Sequence, residues 1–201
     1  MSKNYKVLHY IKEQVEKYNG DSKLYDILSR SFNLINEYKD PDGCFSTSIA
    51  LYICLTEAGY EPKIRYGLIK TTDNYEYYHA WLEMDDFIID LAIYGNANFN
   101  SLFDSNIIIE YPVVLEKFHN QLSYHAFLFD DDWQYSAISA AEHWTLYQYI
   151  MKAPMNGMHK IIGKIANEAI RSNIDTIISK YKNVRISDFK EEYIQSLRGN
   201  L

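Results

Sequence analysis

Apolar residues recur at helical spacing through the first forty positions. Val7, Leu8, Ile11 and Val15 form one stripe, which predicts a helix over about 4–18 that stops at Asn19-Gly20. Leu24, Ile27, Leu28, Phe32 and Ile35 form a second, starting from an Asp21 or Ser22 cap and running to about Tyr38. Lys39-Asp40-Pro41-Asp42-Gly43 interrupts the pattern as a turn. The next run, Phe45 to Ala58, has a single charge, Glu57, near its end. A helix apolar on most faces is a central, buried one, and Gly59 terminates it. Cys44 stands at its N-terminal edge, directly after a glycine.

The spacing then changes. Residues 63–70, 75–84 and 87–91 are rich in β-branched and aromatic side chains, with turns at Thr72-Asp73-Asn74 and Asp85-Asp86. Residues 107–115 and 124–129 are further strand candidates, the former demoted to an edge or bend by Pro112. Helical spacing returns over 140–151 and over 157–181, where Ile161, Ile165, Ile170, Ile174, Ile177 and Ile178 make a stripe that packing on the sheet would explain. A short helix near 188–197 closes the chain. Helices, then strands, then helices predict an α+β fold with antiparallel pairing. The expected division is a core with N-terminal helices over 1–136 and a helical extension over 137–201 packed upon it.

Composition narrows the function. With 201 residues, 47% hydrophobic and 15% aromatic, the chain has ample material for one core. No apolar run approaches the roughly 20 residues of a membrane span, and the first residues lack the apolar stretch of a signal peptide, so a cytoplasmic protein is expected. Residues 1–150 carry 11 Lys and Arg against 22 Asp and Glu, whereas 151–201 carry 9 against 5. An acidic main body argues against nucleic acid as a partner. The two cysteines, Cys44 and Cys54, are ten residues apart on one expected helix, about 15 Å at helical rise, beyond the reach of a disulfide. Six scattered histidines without CxxC or HExxH give no support for a metal, and no cofactor is implied. The Asp130-Asp131-Asp132 triplet lacks the pattern of a calcium loop and reads as a turn.

Candidate chemistry centres on Cys44. A helix N-terminus stabilises a thiolate through its free N–H groups and dipole, whereas Cys54, more than two turns further on, is a core residue. Taken alone, Cys44 is better read as a small apolar residue starting a helix. The hairpin beyond alters that balance. Centred on residues 85 and 86, it brings His79 and Asp90 close to directly opposite on one face, where the carboxylate can fix the imidazole tautomer. Cys, His and Asp in this order are the components of thiol-dependent acyl chemistry.

These segments resemble the transglutaminase-like superfamily of papain-like cysteine enzymes, which includes the leader peptidases of lasso-peptide biosynthesis. The resemblance rests on Gly43-Cys44 opening the apolar helix, on Gly59-Tyr60-Glu61-Pro62-Lys63-Ile64-Arg65-Tyr66-Gly67, on His79-Ala80-Trp81-Leu82-Glu83, and on Asp90 after the hairpin. It implies a papain-like, transglutaminase-like core, with Cys44 as nucleophile, His79 as base and Asp90 as orienting group. Phe45 and Leu91-Ala92 depart from the Trp or Arg and the Pro-Thr of many relatives, which bears on the substrate subsite. The expected activity is that of a peptidase, amidase or acyltransferase on a peptide or protein substrate, without membrane involvement. A catalytically silent binding module and an arylamine-type acyltransferase are the rivals. The Cys44 N–H would hold the oxyanion, with an upstream side chain such as Tyr38 as second donor. Trp81 and Tyr77 are candidate substrate contacts, although half-buried sheet residues explain the tyrosines more simply. Tyr124-His125-Ala126-Phe127-Leu128 echoes Tyr78-His79-Ala80-Trp81-Leu82 but offers Ser136 where Asp90 would fall, so His125 is read as a structural strand residue, with a substrate-side contact as the alternative. His143 is read as a helical surface or packing residue. Oligomeric state is left open.

Overall fold

Regular apolar spacing becomes regular packing in the N-terminal helices. The computed structural model describes residues 3–38, 43–99, 103–126, 144–152 and 158–186. Helix α1 (Lys3–Lys17) buries Val7, Ile11 and Val15, one residue per turn of the same face. Helix α2 (Ser22–Tyr38) buries Leu24, Ile27, Leu28 and Phe32 and is capped by Asp21, which accepts the Leu24 N–H at 2.9 Å. Helix α2 packs on α3 (Cys44–Glu57), and α1 packs on α2. Helix α3 buries Ile49, Ala50, Leu51, Ile53, Cys54 and Leu55, as its near-absence of charge predicts. It ends where Gly59 adopts φ 95°, so that the Tyr60 N–H returns to the Leu55 carbonyl at 3.0 Å.

Five strands follow: β1 (Lys63–Thr71), β2 (Glu76–Met84), β3 (Phe87–Asp90), β4 (Val113–Glu116) and β5 (Leu122–Ala126). They form one antiparallel sheet in the order β4-β3-β2-β1-β5, and α3 packs on β2 and β1. The α+β reading holds. Asp85 and Asp86 have φ of 49° and 64°, the two positive values a tight hairpin turn requires. Met84 therefore closes on Phe87 and Leu82 on Ile89. This register sets Asp90 beyond Ile89, facing the Trp81 position, so His79 meets it on the diagonal rather than directly opposite. Diagonal neighbours share a face, which preserves the encounter. On the far side, Gly67 of β1 faces Ala126 of β5, and a Cβ at Gly67 would stand 2.1 Å from the His125 carbonyl oxygen. Only glycine allows that approach.

Several expectations are corrected. The strand expected over 107–115 begins only at Val113, directly after Pro112, whose missing N–H cannot join the ladder. Residues Ala92–Phe99, which sequence spacing did not single out, form helix α4. Within 140–151 the described helix is α5 (Leu146–Lys152). The long helix expected over 157–181 is broken into α6 (Met158–Ile165), a π-helical turn (Ala166–Ile170) and α7 (Ile174–Lys180). Arg171 turns left-handed at φ 56°, and the Asn173 side chain accepts the N–H groups of Asp175 and Thr176, restarting the helix. Ile162, Ile165 and Ala166 join the core shared with α2 and α3, so the isoleucine stripe packs chiefly on helices and not on the sheet. The boundary at 136/137, the Asp130–Asp132 turn, Ser136, His143 and the closing helix lie outside the described residues. Among the described residues no helix is long and apolar enough to cross a membrane, and no cluster of His, Cys, Asp and Glu is arranged to hold a metal.

Candidate active site

Cys44 is the first residue of α3. Its cap, Gly43, provides no side-chain acceptor for the first-turn N–H groups, although the Gly43 carbonyl already accepts the Thr47 N–H at 2.8 Å. Among the described residues no side-chain cap covers this end of the 14-residue helix, so its first amide groups favour negative charge. Cys44 is half-buried, while Cys54 is fully buried and both are free thiols. Burial, with Glu57 adding to it, pushes the Cys54 thiol far up and leaves it chemically quiet.

His79 lies on β2 with no solvent exposure. Its Nε2 is 2.9 Å from Asp90 Oδ2, with the oxygen off the N–H axis, an ion-pair contact more than a linear hydrogen bond. Cys44 interacts with the same ring from the start of α3, and Asn96 Nδ2 of α4 stands 3.4 Å from Nδ1. Burial alone would lower the His79 pKa. The negative charges of Asp90 and Cys44 outweigh it and hold it up to about 10, so the ring carries a proton at neutral pH.

Asp90 is 2% exposed, at the end of β3. Both of its oxygens are engaged. Oδ1 accepts the backbone N–H of Ile93 in the first turn of α4 at 3.0 Å, and Oδ2 accepts the Tyr124 hydroxyl at 3.0 Å in addition to facing His79. A buried carboxylate held by two hydrogen-bond donors and an ion pair keeps one orientation. Tyr124 reaches it from β5, and burial followed by the Asp90 charge holds its hydroxyl proton on well above the usual tyrosine range. Cys44, His79 and Asp90 thus converge, as the sequence spacing anticipated, and the arrangement is competent for proton exchange between a thiol and a charge-paired imidazole.

The other candidates are placed differently. Trp81 is 1% exposed, lies edge-on to the Tyr124 ring at 5.1 Å and directs Nε1 to Glu83 at 3.4 Å. Tyr77 is beside the site, its ring edge-on to His79 at 5.6 Å. The Tyr38 side chain lies outside the described residues. His125 is exposed and pairs in register with Leu68, whereas its neighbour Tyr124 pairs with Ile69 and points to the His79 side of the sheet. The echoed Tyr-His-Ala motif does contribute to the site, through its tyrosine. Strand alternation was the signal available for Tyr124. Asn96 had none, because the short apolar run that carries it gives no clear helical period.

No curated protein and no solved structure matches the chain. A family model described as "Transglutaminase-like superfamily" matches residues 21–104, a span that includes α2, α3, the β1–β3 strands and α4. Over that span, which holds Cys44, His79 and Asp90, the chain is similar to the transglutaminase-like superfamily.

Proposed function

We propose that the protein is a cysteine enzyme acting on an amide carbonyl of a peptide or protein. The observation that supports this most is His79, fully buried yet held between Asp90 and the only half-buried cysteine, at an uncapped helix start. In this reading Cys44 Sγ, its proton passed to His79, forms a bond to the carbonyl carbon while the π pair moves onto oxygen. Collapse restores the carbonyl, breaks the C–N bond and sends the His79 proton to the departing amine. Asp90 holds the imidazolium in place throughout and stays ionised. Water then resolves the acyl-enzyme in a peptidase or amidase, or an amine in an acyltransferase. The acidic surface of the main body suits a peptide substrate better than a nucleotide-bearing acyl donor, which ranks the arylamine-type activity lower.

The test is site-resolved alkylation. Brief iodoacetamide treatment of the folded protein at neutral pH should label Cys44 at least about tenfold faster than Cys54, whose thiol is both shielded and protonated. Equal labelling of the two, read by peptide mass spectrometry, would favour the silent binding module.

A further inference from the structure

Tyr77 Oη is fully buried and has no hydrogen-bond partner among the described residues. Leaving a hydroxyl buried and unpaired is destabilising, so such a group in a folded protein calls for an explanation. A phenylalanine would pack in the same place without that penalty. Tyr77 is anchored by its ring, stacked on Tyr75 at 5.5 Å and edge-on to Phe103 at 5.2 Å and His79 at 5.6 Å. It shares the His79 face of β2, and after burial itself the charges of Asp90 and Cys44 are what most raise its pKa. The hydroxyl therefore lies on the His79 face of the sheet, within the field of Asp90 and Cys44, and keeps its proton at any physiological pH.

A neutral, rigid O–H donor next to a nucleophile is suited to a developing negative oxygen. It can donate a hydrogen bond, and it will not ionise in place of the reacting group. At the start of α3 the Ser46 hydroxyl is turned back to the Gly43 carbonyl at 3.2 Å, so the helix supplies its backbone N–H donors to one side of an oxyanion cradle.

We propose that the Tyr77 hydroxyl is the second donor to the acyl oxygen of the substrate, completing with the amide groups at the start of α3 a cradle for the oxyanion. This rests on Cys44 being the nucleophile. When Sγ bonds to the carbonyl carbon and the π pair moves onto oxygen, Tyr77 Oη–H donates to that oxygen without giving up its proton. When the carbonyl re-forms and the leaving group departs, the hydrogen bond weakens again.

Two reagents separate the roles. Iodoacetamide alkylates a thiol by displacement at a saturated carbon and creates no oxyanion, whereas p-nitrophenyl acetate acylates through a tetrahedral one. In Tyr77→Phe, acetylation of Cys44, followed by mass spectrometry of that peptide, should slow by about 10²-fold or more. Alkylation of Cys44 should stay within about twofold of wild type, and the melting temperature should hold or rise. Acetylation at the wild-type rate would overturn the proposal. So would a parallel fall in both reactions, which would make Tyr77 a support for the Cys44–His79 pair. Wild-type protein in which neither reagent marks Cys44 would overturn the nucleophile assignment instead, and the donor with it.

Discussion

At the scale of single residues, the site depends on burying charge only where it is matched. His79 and Asp90 are both almost inaccessible to water, so each would be costly without the other. Their pairing has a pH consequence of definite sign. The folded-state pKa of His79, about 10, is above the ordinary value of 6.5, so the folded protein retains a proton that the unfolded chain releases. The stabilisation is complete below about pH 6.5 and is lost as pH rises through about 10. Thermal melts between pH 7 and 10 should therefore fall more steeply for wild type than for His79→Gln. Parallel curves would mean that the ring binds no extra proton on folding. The same residues show what was legible beforehand. Cys44, His79 and Asp90 announce themselves by residue type and by position at a helix start and across a hairpin. Tyr124 is marked only by strand alternation, which gives its face but not its partner, and Asn96 by no local pattern, because both roles arise from long-range placement.

Individual elements show where local rules stop. The hairpin β2–β3 was legible because Asp85-Asp86 accepts positive φ, yet its register could be assigned only to within a diagonal. Helix α3 was legible because an uncharged run of that length must be buried. The break at Arg171 was not, since isoleucine spacing continues across it and the cap at Asn173 looks like one more polar residue on an exposed face. Strand β5, beyond the matched family segment, carries Tyr124 to Asp90, and it can lie against β1 only because residue 67 has no side chain. Gly67→Ala would force its Cβ into the β5 backbone, which a strand cannot absorb by a rotamer change. The expected result is a protein destabilised by about 2 kcal/mol or more, with a slower reaction at Cys44 as Tyr124 withdraws. An alanine variant matching wild type in both melting temperature and Cys44 alkylation rate would show that β5 is dispensable to the site.

Taken as a whole, the molecule sets a helix start against a sheet face so that one thiol, one imidazole and one carboxylate meet away from bulk water. The helices of α6 and α7 complete the core around α2 and α3 without contributing a described residue to that meeting point. The central claim is that the proton shared within this group makes Cys44 reactive, and that His79, not its echo His125, holds the proton. The most direct measurement is the rate of Cys44 alkylation from pH 5 to 9 in wild type, His79→Ala and His125→Ala, with Asp90→Asn as a partner variant. Wild type and His125→Ala should remain reactive near pH 6, where a free thiol of pKa about 8.5 is almost wholly protonated. His79→Ala should lose that acidic limb and react only as an ordinary thiol ionises, and Asp90→Asn should move in the same direction. Superimposable profiles for wild type and His79→Ala, or loss of the acidic limb in His125→Ala alone, would contradict the account.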